Sequence, residues 1–196
     1  AVCSMATALV WLRRDLRLHD NPALTQALAD GFAPVLVYVH APEEERHWAP
    51  GAASRAWLHF SLQSLQRDVR ALGGELIIRR GQSLRELEIL QAEVHAEALY
   101  FANCYEPLLQ VRDAAVQAAF EARGLPVRRF NANLLIEPWQ VETGSGTPYK
   151  VFTPFWRNAV MRIAPGNEHP KPHSLPAVPT APGLDLYALG LLPARD

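Results

Sequence analysis

The sequence predicts an α/β fold: an open, mainly parallel, five-stranded doubly wound sheet of the Rossmann-like type, with flanking helices. Short runs rich in β-branched and aromatic residues alternate with segments of helical periodicity over about 130 residues, an order typical of an open parallel sheet. These runs are apolar almost throughout, as strands covered on both faces are. The predicted strands are Ala8–Leu12, Val35–Val39, Glu75–Ile78, Ala98–Phe101 and Val127–Phe130.

Each segment between the strands carries its own helix signals. Asn21 or Asp20 can cap the first helix, and Pro22 fits its first turn because the N–H there has no partner within the helix. The second helix, from Ala52 to Leu72, has a single apolar stripe, and two glycines end it. The apolar positions of the third helix are Leu84, Leu87, Leu90 and Val94, and those of the fourth are Val111, Ala115, Ala118 and Ala122.

Changes in composition divide the chain into three parts. Residues 1–131 form the α/β domain, and residues 132–163 are loop-like and end in a short helix, from Thr153 to Ile163. Residues 164–196 hold seven prolines in 33 positions. That density excludes a regular helix or a central strand, and it indicates a connector leading out of the domain.

Composition excludes several classes of protein. With 49% hydrophobic and 20% charged residues in 196, the chain is globular rather than disordered, and it is long enough for one buried core. No apolar run approaches the length of a membrane span, and no basic region precedes a hydrophobic one near residue 1, so we expect a cytoplasmic protein. Cys3 and Cys104 follow no paired spacing and are expected to be reduced thiols. The net charge of −1 gives no indication of nucleic-acid binding.

Polar residues cluster where three predicted strands end. The segment Arg13–Arg17 follows the first strand, Tyr38–His40 ends the second, and Asn103–Glu106 follows the fourth. Ligands of doubly wound sheets bind at the carboxyl ends of the strands. Two interpretations remain open: an Arg–Asp network that only fixes the first loop, or a network that also flanks a polar heterocyclic ligand.

Two other motifs resemble functional sites, a phosphate loop and a metal-binding histidine pair, but neither has the geometry that such a site requires. Gly144–Lys150 resembles a phosphate loop, but Pro148 and the absence of Ser or Thr after Lys150 exclude that geometry. His169 and His173 are separated by prolines, so no helix brings them to one face, and no metal site is predicted. No catalytic residue is predicted in this chain.

Four segments, in order, closely resemble the DNA photolyase/cryptochrome family: "LVWLRRDLRLHDNPAL", "WAPGAASRAWL", "YFANCYEPLLQVRD" and "GSGTPYKVFTPFWRN". The resemblance extends to about Ile163. It implies an N-terminal α/β domain that holds a light-harvesting chromophore. It also implies a C-terminal helical domain, absent from this chain, that holds FAD and damaged DNA. The full-length protein would be a photolyase that repairs pyrimidine dimers by light-driven electron transfer from FAD. A cryptochrome-like blue-light signalling protein is the alternative.

The resemblance also implies the residues of the chromophore site. Positions that match the family's pocket are Arg14, Asp15, Tyr38, Val39, His40, Arg55, Cys104 and Glu106. Arg13 and Arg17 are assigned mainly structural roles. Leu108 and Leu109 stand where folate-binding members carry Asn and Glu, and Cys104 stands where deazaflavin-binding members often carry Asp. The two leucines count against methenyl-folate, and Cys104 counts less strongly against deazaflavin because Arg55 and the "YEP" segment remain. Deazaflavin or FMN is therefore expected over methenyl-folate, and an empty pocket is the remaining alternative.

The same resemblance suggests two partners. The first is the protein's own FAD domain. The second is UV-damaged DNA, whose phosphates Lys150 and Arg157 could reach, although a solvated basic face also accounts for these two residues. Without its FAD domain the chain is expected to be inactive in repair. Phe155, Trp156 and the Leu189–Leu192 run are expected to be exposed and to promote self-association.

Overall fold

The computed structural model describes residues 5–163, 166 and 168–193. Its strands are β1 (Thr7–Leu12), β2 (Ala33–His40), β3 (Leu76–Arg80), β4 (Ala98–Ala102) and β5 (Val127–Phe130). All neighbouring strands are parallel, in the order β3–β2–β1–β4–β5. The predicted fold class is confirmed, and because the sheet is parallel, every strand ends at the same edge.

The α-helices of the described residues are α1 (Pro22–Ala29), α2 (Ala52–Ala71), α3 (Ser83–Val94), α4 (Pro107–Ala122) and α5 (Phe152–Arg162), of which the first four pack against the sheet. Short 3₁₀ helices cover Pro42–Trp48, Pro138–Gln140 and Leu186–Leu189. The Asn21 side chain caps α1 by accepting a hydrogen bond from the Leu24 N–H at 3.0 Å.

Several predicted boundaries are off by one or two residues, as at β2, which begins at Ala33 rather than Val35. The third strand ends at Arg80 rather than Ile78, and its last residue pairs with His40 of β2. Charged side chains are tolerated there because β3 lies at the edge of the sheet.

The apolar stripe predicted for the fourth helix was also wrong: Val111, Ala115, Ala118 and Ala122 are exposed, and the buried face consists of Leu109, Asp113, Val116 and Phe120. The helix begins at Pro107. Proline suits the first helical position, so this start had a local signal.

The core has two layers because β1 sends alternate side chains to opposite faces of the sheet. Helices α1 and α2 cover one face, where Val10 and Leu12 meet Leu24 and Leu62. Helices α3 and α4 cover the other, where Leu9 and Trp11 belong to the same cluster as Leu87, Leu90, Val116 and Phe120.

The proline-rich segment packs against the domain. The Leu175 N–H donates to the Leu72 carbonyl at 2.8 Å, and the Leu184 N–H donates to the Ile78 carbonyl of the edge strand at 2.8 Å. The expected exposure of the Leu189–Leu192 run was wrong for two of its leucines, because Leu189 and Leu191 are only 3% and 2% exposed and join the core beside α2.

The structure also bears on the expected exposure of two aromatic residues and on the expected state of the cysteines. Trp156 is exposed, as expected, whereas Phe155 is half-buried. Cys104 is a free, buried thiol, and Cys3 lies outside the described residues. Among the described residues, no helix combines the length and the apolar character needed to cross a membrane. The division of the chain into three parts stays a prediction.

Candidate functional site

A cleft of about 750 Å³ lies over the carboxyl ends of β1, β2 and β4. Strand β1 has β2 on one side and β4 on the other, so the connection order reverses at this strand. Such a switch point is where doubly wound sheets bind ligands. The volume falls in the range of small-molecule sites, about 300–1,000 Å³.

Five of the eight predicted chromophore residues line this cleft. They come from the three strand ends that the sequence analysis singled out, and they are Arg14, Tyr38, Val39, His40 and Cys104. The structure therefore brings together residues separated by up to 90 positions in the chain.

The other three predicted residues do not line the cleft, and each contacts a residue that does. Buried Asp15 accepts a hydrogen bond from the Arg13 N–H at 2.9 Å. Arg55 is exposed and donates to the Pro50 carbonyl at 3.1 Å. Glu106 forms an ion pair with Arg14 at 2.8 Å.

Helix α2 supplies one wall of the cleft, which the sequence analysis did not identify. The wall consists of Ala53, Ser54, Trp57, Leu58 and Ser61. These positions recur at intervals of three and four, so they share one helical face. Arg55 is about 100° from Ser54 and 200° from Trp57 around the helix, which directs it away from that face. The three- and four-residue spacing of these small and apolar residues on α2 is the sequence signal that identifies this wall.

The floor of the cleft is a buried ion-pair network that surrounds Trp11. The Asp113 carboxylate is fully buried and pairs with Arg13 at 2.6 Å and with Arg112 at 2.9 Å. Both guanidinium groups stack over the Trp11 ring, at 4.0 Å and 4.8 Å from its centroid. Arg13 also donates to the Ala102 carbonyl at the end of β4. The structural role assigned to Arg13 agrees with these contacts, although Arg13 also lines the cleft.

Glu44 extends this network to the start of α3. One of its oxygens accepts from the Ser83 N–H at 2.7 Å, and the other accepts from the Ser83 hydroxyl at 2.6 Å and lies 3.8 Å from Arg112. A carboxylate at a helix N-terminus satisfies a free N–H and interacts favourably with the helix dipole. Arg17 is held separately, by the carbonyls of Asp20 and Ala132.

Burial favours the neutral forms of three titratable side chains at the strand ends. Burial raises the pKa of Tyr38, with Glu45 acting in the same direction. Burial also raises the pKa of the Cys104 thiol, against the pull of Arg13. Burial lowers the pKa of His40, and Arg80 lowers it further. Near neutral pH these three side chains therefore offer uncharged hydrogen-bonding groups to a ligand.

An exposed ion-pair cluster forms the rim of the cleft. Arg14 pairs with Glu106 at 2.8 Å and lies 3.5 Å from Glu45. The Arg14 and Glu106 side chains are each 50% exposed, and Glu45 is 22% exposed. The cluster links the loop after β1, the 3₁₀ segment after β2 and the start of α4.

Two predicted DNA contacts lie apart from this site. Lys150 and Arg157 are exposed, at the approach to α5 and within it, and neither lines the cleft. Among the described residues, no group of three or more His, Cys, Asp or Glu side chains could hold a metal ion.

Fold and cleft together define a doubly wound α/β domain with a candidate ligand cleft at the switch point of the sheet. A family model described as DNA photolyase matches residues 8–178 of the chain. The chain belongs to this DNA photolyase family, so the expected family is confirmed.

Individual relatives agree with this assignment. The chain is 43% identical over 155 residues to cryptochrome-1 of Arabidopsis thaliana and 39% identical over 153 residues to the deoxyribodipyrimidine photo-lyase of Agrobacterium fabrum. Each match covers 78% of this chain, but 22% and 31% of the respective relative. A solved class III photolyase from Agrobacterium tumefaciens has a TM-score of 0.91 and 34% identity, over 100% of this chain and 40% of that one. The chain thus spans less than half the length of these relatives.

Proposed function

We propose that this chain is the light-harvesting-chromophore domain of a photolyase that repairs UV-induced pyrimidine dimers in DNA. The main support for the proposal is the cleft over the ends of β1, β2 and β4. Five of the eight expected pocket residues line it, and its volume suits a small planar molecule. A bound antenna chromophore would absorb near-UV or blue light and pass the energy to FAD in another domain.

The lining of the cleft fits a flavin-like ring. Trp57, Leu58 and Leu109 provide apolar surface for a tricyclic system. His40, Tyr38 and Arg14 provide hydrogen-bonding groups for its polar edge, the combination typical of heterocycle sites. In this proposal, Asp15, Arg55 and Glu106 support the lining through Arg13, Pro50 and Arg14, respectively.

Deazaflavin or FMN suits this cleft better than methenyl-folate. Leu109 lines the cleft and is 4% exposed, at one of the two positions where folate-binding members carry polar residues. A leucine cannot accept a hydrogen bond from a pterin ring, whereas it can pack against a flavin.

The chemistry of repair would belong to a domain that binds FAD and DNA. We propose that Lys150 and Arg157 assist DNA binding in the full-length protein and that the 196-residue chain alone does not split dimers. Dimer cleavage under blue light by this chain would overturn the second statement.

A cryptochrome-like signalling function is the second candidate, because the identity to the plant cryptochrome reaches 43% over 155 residues. A repair assay on the full-length protein separates the two candidates. Dimer splitting under blue light supports a photolyase, and its absence in a FAD-loaded protein supports a signalling role.

A titration with three chromophores tests the antenna proposal. The purified chain is mixed with 8-hydroxy-5-deazaflavin, FMN or methenyl-tetrahydrofolate, and fluorescence polarisation is followed. Ala53→Trp places a bulky side chain in the cleft, and Gln63→Trp adds the same bulk to an exposed position of α2 outside it.

We expect saturable binding of deazaflavin or FMN. Ala53→Trp should weaken it at least about ten-fold, or about 1.4 kcal/mol, because the indole fills part of the volume that the ring would occupy. Gln63→Trp should bind as the wild type does. Equal binding by wild type and Ala53→Trp, or no binding of any chromophore, would overturn the proposal.

A further inference from the structure

We infer that the rim formed by Arg14, Glu45 and Glu106 makes the cleft select an uncharged planar chromophore over the same ring carrying a phosphate. This inference rests on the proposed antenna function and deepens it because, of the two proposed chromophores, it favours deazaflavin, which has no phosphate, over FMN. It concerns the ionic state of the ligand, which the apolar walls of the cleft do not determine.

The rim carries a net negative charge. Arg14 contributes one positive charge and is shared between two carboxylates, at 2.8 Å from Glu106 and 3.5 Å from Glu45. One guanidinium against two carboxylates leaves −1 at the mouth of the cleft. A phosphate that approaches Arg14 must compete with both carboxylates, and like charges at such distances repel.

The arginines deeper in the cleft offer no compensating charge. Arg13 and Arg112 share the Asp113 carboxylate, and Arg112 also lies 3.8 Å from Glu44. Two guanidinium groups against two carboxylates balance. Arg17 donates to two backbone carbonyls, and its charge is paired with the Asp20 carboxylate at 4.0 Å. Each arginine lining the described part of the cleft therefore already has an oxygen partner.

The remaining polar groups favour a neutral ligand edge. Burial keeps His40 from gaining a proton and keeps Tyr38 from losing one, since it lowers the first pKa and raises the second. Neutral donors and acceptors bind the carbonyl and N–H groups of a flavin-like ring without a charge imbalance. The ring is thus accommodated inside, while an attached phosphate meets a negative rim.

Riboflavin and FMN test this inference, because they share one ring system and differ by a phosphate. The measured quantity is the ratio of the two dissociation constants, Kd(FMN)/Kd(riboflavin). A change in folding stability affects both constants alike and leaves the ratio unchanged. We expect a wild-type ratio of roughly three to ten at low salt, falling towards one at 0.5 M NaCl as the rim is screened.

Replacing charged rim residues by neutral glutamine should move the ratio Kd(FMN)/Kd(riboflavin) in opposite directions, depending on the sign of the charge removed. Glu45→Gln combined with Glu106→Gln frees Arg14 and should bring the ratio below one. Arg14→Gln leaves two unpaired carboxylates and should raise the ratio above the wild-type value. Glu88→Gln is the matched control for Glu106→Gln. It also removes one partly exposed carboxylate from an ion pair with an arginine, here between α3 and Arg123 at the end of α4, outside the cleft lining.

Two results would overturn the inference. A wild-type ratio of one or below while both flavins bind would show that the rim does not exclude anions. A Glu106→Gln variant with the same ratio as Glu88→Gln would show that net charge, not the rim, sets the preference. Failure of both flavins and of deazaflavin to bind would overturn the proposed function itself, and the inference with it.

Discussion

The floor and the rim of the cleft use the same chemical pair, arginine with carboxylate, in opposite environments. At the floor, Arg13 and Asp113 are 7% and 0% exposed, whereas Arg14 and Glu106 at the rim are each 50% exposed. A buried charge that loses its partner cannot be solvated, but an exposed one can. The floor pairs therefore hold the strand ends together, and the rim pairs are free to act on a ligand.

The largest expected effect is the loss of the buried carboxylate. Asp113→Ala leaves Arg13 and Arg112 without their shared partner and should lower the free energy of unfolding by about 3–5 kcal/mol. Urea denaturation followed by circular dichroism measures this. A loss below about 1 kcal/mol would mean that the floor network does not differ from the rim in its contribution to stability.

An intermediate effect is expected at Glu44, which connects the floor to α3. Glu44→Gln removes the charge near Arg112 and weakens the hydrogen bonds from Ser83, so we expect a loss of about 1–2 kcal/mol. Ser83→Ala removes one of these hydrogen bonds and should show a smaller loss in the same denaturation experiment. If Ser83→Ala loses as much stability as Glu44→Gln, the contribution of Glu44 comes entirely from its hydrogen bond with the Ser83 hydroxyl and not from its charge near Arg112.

A pH effect distinguishes His40 from the exposed rim. Burial lowers the pKa of His40 below its unfolded value of 6.5. The unfolded chain then binds more protons below that pH, so this contribution to stability is complete above pH 6.5 and is lost as the pH falls through the folded value. Denaturation at pH 7.5 and 5.5 should show a smaller decrease for His40→Asn than for wild type. Equal decreases would contradict the neutral, buried state.

The smallest expected effect on stability is at the rim. Glu106→Gln should change the free energy of unfolding by about 0.5 kcal/mol or less, because its ion pair with Arg14 is half exposed. The same variant should shift the FMN-to-riboflavin ratio. A large loss of stability at Glu106 would remove the distinction between rim and floor.

The sequence predicted the sheet well because its signals are local. Each strand is an apolar run, and parallel strands necessarily end at one edge, so Tyr38, His40 and Cys104 could be placed together before the structure was known. The start of the third strand was displaced by one residue and its end by two, because its last residues are charged and lie on an exposed edge strand.

The rest of the site depended on tertiary contacts that no local pattern encodes. Arg112 has the spacing of an ordinary exposed helix residue, yet it reaches across to Trp11 and Glu44. The proline-rich segment gave no helical or strand signal, so its buried leucines could not be assigned to the core. A segment without regular structure can still bury apolar side chains when its backbone hydrogen bonds are satisfied, as at Leu175 and Leu184.

The central claim is that the cleft between α2 and the strand ends holds the antenna chromophore. The most direct test is a crystal structure of the chain with bound 8-hydroxy-5-deazaflavin. The account predicts the ring in contact with Trp57 and Leu109, its polar edge toward His40 and Tyr38, and Arg14 still paired with Glu106. Chromophore density elsewhere on the molecule, with this cleft vacant, would contradict it.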